Sequence, residues 1–137
     1  MNLLTLEDGT NVDLNFAEKV IKDLKFNVIA NRRRNQNIST SKLRKLLEPI
    51  NTLYTQVHHD PNRDLSSRII EELEYIKVRF IYESGRDESV KMFIEQSHLH
   101  RLLEKVIESG TKRDFIHFCR YFEALVAYAK FHGMRED

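Results

Sequence analysis

Glycine and proline are scarce, four and two in 137 residues, which leaves little material for the many turns of an all-β fold and favours helices. Cysteine occurs once, at Cys119. An internal disulfide is therefore excluded, and the apolar helical neighbours of this residue suggest a buried thiol. No apolar run approaches the roughly 20 residues that span a bilayer. No basic stretch followed by an apolar one opens the chain in the manner of a secretory leader. A reducing, cytoplasmic setting with no membrane is the expectation. A formal charge of +1, from 22 bases and 21 acids, gives no global basic excess of the kind that announces nucleic acid. Acid is missing from one stretch in particular, since none occurs between Asp23 and Glu48.

That stretch holds Lys25, Arg32, Arg33, Arg34, Lys42, Arg44 and Lys45. It ends in Ile38-Ser39-Thr40-Ser41-Lys42-Leu43-Arg44-Lys45-Leu46-Leu47, which reads as a helix start with Ser and Thr capping the first turn. Cations there oppose the macrodipole, but together with exposed amides they would form an anion site suited to phosphate. The plainer reading is a solvated basic loop before an ordinarily capped helix. Glu48, Asp60, Asp64, Glu71, Glu72 and Glu74 follow, offset only by Arg63 and Arg68 before Lys77. A molecule so polarised could offer one face to phosphates and another to basic partners.

With 41% hydrophobic and 31% charged residues, the length suits a single globular domain with a real core. Residues 1–12 lack pattern apart from a turn signal at Asp8-Gly9 and are expected as a loosely structured or extended arm. The domain proper is expected over 13–137. Asp13 can cap a first helix with the stripe Phe16, Ala17, Val20, Ile21, Leu24 and Val28. Arg32-Arg33-Arg34-Asn35-Gln36-Asn37 breaks that period and should be an exposed loop. A second helix from near Ser41 presents Leu43, Leu46, Leu47, Ile50, Leu53, Tyr54 and Val57, with a kink or break expected at Pro49.

A third helix is expected from about Asn62 to Ser84 with Leu65, Ile69, Leu73, Ile76 and Phe80 inward, closed by a left-handed Gly85. Its outer side aligns Arg68, Glu72, Tyr75, Arg79 and Tyr82. A short helix follows from Asp87 with Val90, Phe93 and Ile94. Ser97 is the expected cap of a fifth, which carries Leu99, Leu102, Leu103, Val106 and Ile107 and stops at Gly110. Thr111-Lys112-Arg113-Asp114, a variant capping box, opens the last, with Phe115, Phe118, Cys119, Phe122, Leu125, Val126 and Ala129 inward. The fold class is all-α, a compact single-domain bundle of about five to six helices.

Three stretches carry a family likeness. They are Thr40-Ser41-Lys42-Leu43-Arg44, Lys77-Val78-Arg79-Phe80-Ile81-Tyr82-Glu83-Ser84-Gly85-Arg86, and Phe118-Cys119-Arg120-Tyr121-Phe122-Glu123-Ala124-Leu125-Val126-Ala127-Tyr128-Ala129-Lys130. In order and spacing they resemble the small subunit of the type III-A CRISPR effector, the Csm complex, over roughly residues 13–137. The resemblance implies a noncatalytic helical protein of antiviral defence. Several copies would pack side by side with the other Csm subunits and line the path of guide and target RNA. Contacts would go to the RNA backbone, while base pairing reads sequence and neighbouring subunits carry out cleavage. The segment Phe131-His132-Gly133-Met134-Arg135-Glu136-Asp137 departs from the many relatives that have a second glycine and a further lysine there.

Lys42, Arg44 and Lys45 lead the candidate RNA-binding residues, because a helix start suits phosphate and matches the family's basic helix start. Arg79, set between Tyr75 and Tyr82 on one helical face, suits a backbone-tracking groove with stacking surfaces, and Arg86 lies just beyond. The rival account pairs Arg79 and Arg86 with acids such as Glu83. Arg120 and Lys130 lie off the apolar stripe of the last helix, with an Arg120–Glu123 pair as the alternative. Arg32, Arg33 and Arg34 would add to the electrostatic field even without fixed contacts. Ala124 and Ala127 could admit a neighbouring helix.

Metal and catalytic readings fare poorly. His98 and His100 diverge on a helix, His58 and His59 have no completing zinc set, and Cys119 lacks a base nearby in sequence. Arg113 and His117 miss the spacing of a HEPN-type ribonuclease. The expectation is therefore no metal, no cofactor and no enzymatic activity. The reading is a noncatalytic RNA-backbone-binding structural subunit, with a helical protein–protein adaptor docking through its basic face as the alternative.

Overall fold

The computed structural model describes residues 2–26, 37–134 and 136. Among these, a short hairpin of β1 (Asn2–Thr5) and β2 (Asn11–Asp13) precedes six helices. The helices are α1 (Leu14–Phe26), α2 (Thr40–His59), α3 (Ser67–Arg86), α4 (Glu88–Ser97), α5 (Leu99–Ser109) and α6 (Lys112–Phe131). The all-α bundle expected from periodicity is the fold. The Arg32–Asn37 loop and Val28 fall largely or wholly outside the described residues, Asn37 excepted.

The first residues, expected as a loosely structured or extended arm, form two extended strands folded back as a hairpin. β1 and β2 pair antiparallel, with Leu4 opposite Val12 and Thr5 opposite Asn11. The turn is closed by Gly9 N–H donating to the Leu6 carbonyl at 2.9 Å, and Gly9 takes the φ of +88° that glycine tolerates. Leu4, Leu6 and Val12 are buried in the common core, and the hairpin rests on α1 and α6. Burial of each such side chain stabilises by about 1.5–3 kcal/mol, which is what holds so short a ribbon in place.

Helix α6 lies at the centre, packed on α1, α2, α5 and β1. Its Phe122 meets Phe80 of α3 edge-on at 6.3 Å and 64°, and Phe118 of its own helix at 6.2 Å and 89°, orientations that suit the ring quadrupole. Tyr121 is fully buried, and its hydroxyl donates to the Ser97 carbonyl at 2.8 Å. Cys119 is buried as expected.

Several boundaries move for tertiary reasons. α3 begins at Ser67, capped by the Ser66 hydroxyl accepting from Ile69 N–H at 3.2 Å. It does not begin near Asn62 because the preceding residues pair with the α5–α6 turn. Leu65 N–H donates to the Gly110 carbonyl and Lys112 N–H to the Arg63 carbonyl, each at 2.8 Å. Gly85 is helical and does not terminate α3, which runs to Arg86. Asp87 then ends α3 and caps α4, its carboxylate accepting from Ser89 N–H at 2.9 Å. Ser97 is the last residue of α4 and not a cap for α5. The turn between them is made by His98 at φ 60°, stacked on Phe16 at 5.8 Å. α2 passes through Pro49 without breaking.

Candidate nucleic-acid interface

The basic helix start of α2 is capped locally: the Ser39 hydroxyl accepts from Lys42 N–H at 3.2 Å. Leu43, Leu47 and Ile50 bury one side of the helix, which turns Lys42 and Lys45 toward α3 and leaves Arg44 exposed. Lys42, Lys45 and Leu46 of α2 face Arg79, Glu83 and Arg86 of α3 across a groove of about 370 Å³, closed at one end by Asp87 and Val90. Arg79 also lines a second groove of about 350 Å³, with Pro49, Thr52, Gln56, Arg68, Glu72 and Tyr75. The two grooves share Arg79 and form one furrow between α2 and α3.

Carboxylates answer several of these bases. The Lys42 ammonium donates to the Asp87 carboxylate. Burial opposes charge on Asp87, but the Lys42 bond, then the Ser89 hydroxyl and amide, outweigh it and hold the carboxyl at about 2. Arg86 pairs with Glu83 at 3.0 Å, as the rival account anticipated, and its guanidinium lies 5.5 Å from the centroid of the Tyr82 ring. Arg79 and Lys45 make no ion pair within 4 Å among the described residues. Tyr75 lines the furrow and is 64% exposed, leaving a ring face accessible beside Arg79.

A second cluster surrounds Glu136. Its carboxylate accepts from the Thr40 hydroxyl at 2.9 Å and from the Lys130 ammonium at 2.6 Å, while its backbone carbonyl accepts from Ser41 N–H at 3.1 Å. The Lys130 and Thr40 hydrogen bonds, with the nearby charges of Lys130 and Arg44, keep the Glu136 carboxyl below its usual range. At the start of α2, then, the Lys42 amide is taken by Ser39, the Ser41 amide by the Glu136 carbonyl, and the Thr40 hydroxyl by the Glu136 carboxylate.

Of the residues singled out from sequence, Lys42, Lys45, Arg79 and Arg86 converge on the furrow, and Arg44 and Lys130 gather at the first turn of α2. Arg120 is exposed on α6, lines neither groove and makes no ion pair with Glu123. Arg32, Arg33 and Arg34 lie outside the described residues. Lys25, the first base of the run, donates instead to the His132 carbonyl and ties α1 to the end of α6. Asp87, Gln56 and Glu136 were not singled out. The only signal for Asp87 was its place as a helix cap, and nothing local pointed to Glu136. Among the described residues no group of three or more His, Cys, Asp or Glu could hold a metal, and no helix is long and apolar enough to cross a membrane.

The described residues thus define a helical bundle with a basic furrow between α2 and α3. Comparison with known proteins places it. The family model Csm2 Type III-A matches residues 18–135. A protein of Enterococcus italicus named CRISPR system Cms protein Csm2 is 46% identical over 139 residues, covering 98% of this chain and 99% of its own. A protein of that name from Mycobacterium tuberculosis is 38% identical over 95 residues, covering 69% of this chain and 74% of its own. One from Streptococcus thermophilus is 35% identical over 103 residues, covering 74% and 78%. The chain belongs to the Csm2 family, the small subunit of the type III-A CRISPR Csm complex.

Proposed function

We propose that the chain is a noncatalytic subunit that holds the guide and target RNA backbone along the α2–α3 furrow, without reading sequence, in the antiviral Csm ribonucleoprotein of the cytoplasm. The observation that carries this reading is the convergence of Lys42, Lys45, Arg79 and Arg86, from two separate helices, on one open groove. Such a strip attracts phosphates, releases their counterions and carries no base information. Arg44 and Lys130 extend the strip past the start of α2, and Arg32, Arg33, Arg34 and Arg120 add to the field from outside it. RNA association by this chain, lost on replacing furrow bases and falling steeply with salt, tests the reading. Purified protein is expected to leave RNA intact with or without Mg²⁺, and cleavage that co-elutes with it would overturn the noncatalytic part.

Contacts with other Csm subunits, and with further copies of this chain, are assigned to the outer face of α3. Val78, Ile81 and Tyr82 are 56%, 55% and 63% exposed there, and neighbouring apolar side chains left in water favour a protein partner. This face also supports the adaptor reading, in which the furrow would dock an acidic protein surface. Capture of RNA by the isolated or assembled protein separates the two.

A further inference from the structure

Helix α3 carries two tyrosine–arginine pairs at one spacing, Tyr75 with Arg79 and Tyr82 with Arg86. Residues four apart on a helix are neighbours on one face, so each guanidinium is within reach of its own ring. The second pair is closed on itself: Arg86 lies 5.5 Å from the Tyr82 centroid and bonds Glu83 at 3.0 Å. The first pair is open. Among the described residues Arg79 makes no ion pair, and no ring or cation covers Tyr75. Both side chains line the groove of about 350 Å³ between α2 and α3, where Tyr75 is 64% exposed.

The rest of that groove sorts what can enter it. Pro49, Leu53 and Ile76 supply apolar wall beside the ring. Arg68 is engaged by the Gln56 side chain, and Glu72, on the turn before Tyr75, repels a phosphate from that end. Arg79 is left as the place for a phosphate, and beyond it lie a ring face and apolar carbon that suit a flat base. A duplex keeps its base faces inside its own stack and shows phosphate and ribose, so it would leave Tyr75 without a contact. We propose that the groove holds an unpaired nucleotide, its phosphate on the Arg79 guanidinium and its base stacked on the Tyr75 ring. The inference rests on the reading of the furrow as the RNA path. Stacking accepts every base, so the site selects for strandedness without reading sequence.

The test is fluorescence anisotropy at fixed salt with three labelled probes of equal length. They are a single-stranded RNA of mixed sequence, the same strand in a blunt duplex, and an abasic strand that keeps only ribose and phosphate. The full chain is compared with Tyr75→Ala, Tyr75→Leu, Tyr75→Phe and the double variant Lys45→Ala/Arg79→Ala. Tyr75→Ala and Tyr75→Leu should weaken binding of the single strand about fivefold or more, as loss of a base–aromatic stack does. Both should leave the duplex and the abasic strand within about twofold of the parent, and Tyr75→Phe should keep the parent's affinity for all three. An equal loss on every probe would overturn the stack, since it would place the ring's effect on the backbone or the fold. A loss in Tyr75→Phe as large as in Tyr75→Ala would also overturn it, by assigning the effect to the hydroxyl. If the double variant binds the single strand more weakly while Tyr75→Ala binds it like the parent, the stack is refuted and the RNA path stands. If the double variant binds every probe like the parent, the RNA path itself fails and the inference falls with it.

Discussion

Lys42 and Asp87, 45 residues apart in sequence, form an ion pair that ties the first turn of α2 to the junction of α3 and α4. The same carboxylate caps α4 through Ser89, so one side chain anchors two elements at the rim of the furrow. Because the folded carboxyl lies at about 2 against its ordinary 3.8, the deprotonated form favours the folded state. This contribution is fully present above pH 3.8 and is lost as pH falls through about 2. Asp87→Asn should cost about 1 kcal/mol at neutral pH, after discounting for solvent around the pair. Urea titrations of both proteins between neutral and low pH should converge as acid removes the parent's advantage. A gap that persists unchanged to the lowest pH would contradict this.

Removing bases from the furrow should flatten the salt dependence of RNA binding. Each lost phosphate contact reduces the slope of log affinity against log salt by about 0.7 for a single strand, so Lys42→Ala/Lys45→Ala/Arg79→Ala should reduce it by about 2. The loss should be alike for unrelated RNA sequences. Arg120→Ala, which lies outside both grooves, should change affinity far less than Arg79→Ala. Titrations at several salt concentrations decide both points, and a loss confined to one sequence would indicate base readout.

The buried hydroxyl of Tyr121 is the donor to the Ser97 carbonyl at 2.8 Å, at the turn where His98 reverses the chain. Burial raises the phenol far above its ordinary range, so it remains an O–H donor throughout the accessible pH range. Tyr121→Phe leaves that carbonyl without its partner and should destabilise by about 1–3 kcal/mol. Thermal unfolding should show a fall in Tm with the helical content of the native state unchanged.

Leu6 anchors the N-terminal hairpin in the core at 4% exposure. Leu6→Ala should cost about 2–4 kcal/mol if the hairpin is integral to the fold. A neutral outcome in chemical denaturation would instead match an arm that adds nothing to stability.

Cys119 is buried on α6, and burial, followed by the charge of Glu123, pushes its thiol well above the usual range. The native protein should resist alkylation at neutral pH and react only once unfolded. Rapid labelling without loss of structure would disprove this.

Most of the helical architecture was legible because its causes are local. The stripes of α1, α5 and α6 recur every three or four residues, and Asp13, Thr111 and Gly110 act within a few residues of themselves. Asp13 accepts from Phe16 N–H at 2.8 Å and Thr111 from Asp114 N–H at 3.2 Å, while Gly110 adopts φ +65°. The Arg86–Glu83 pair belongs to the same class, since helical spacing alone brings three-apart residues together.

What the tertiary structure decided depends on distances no local pattern contains. α3 starts late because residues 63–65 find backbone partners around Gly110, across a whole helical excursion. The N-terminal hairpin is ordered because α6 packs on β1 and α1 on β2, burying Leu4 and Val12. At the site, sequence named the bases but not their grouping. Packing placed Lys45 opposite Arg79, matched Lys42 with Asp87, and brought Glu136 to Thr40 and Lys130. Coulomb energy and hydrogen bonding fall steeply with separation, so the identity of a charge is written in the chain while its partner is set by the fold.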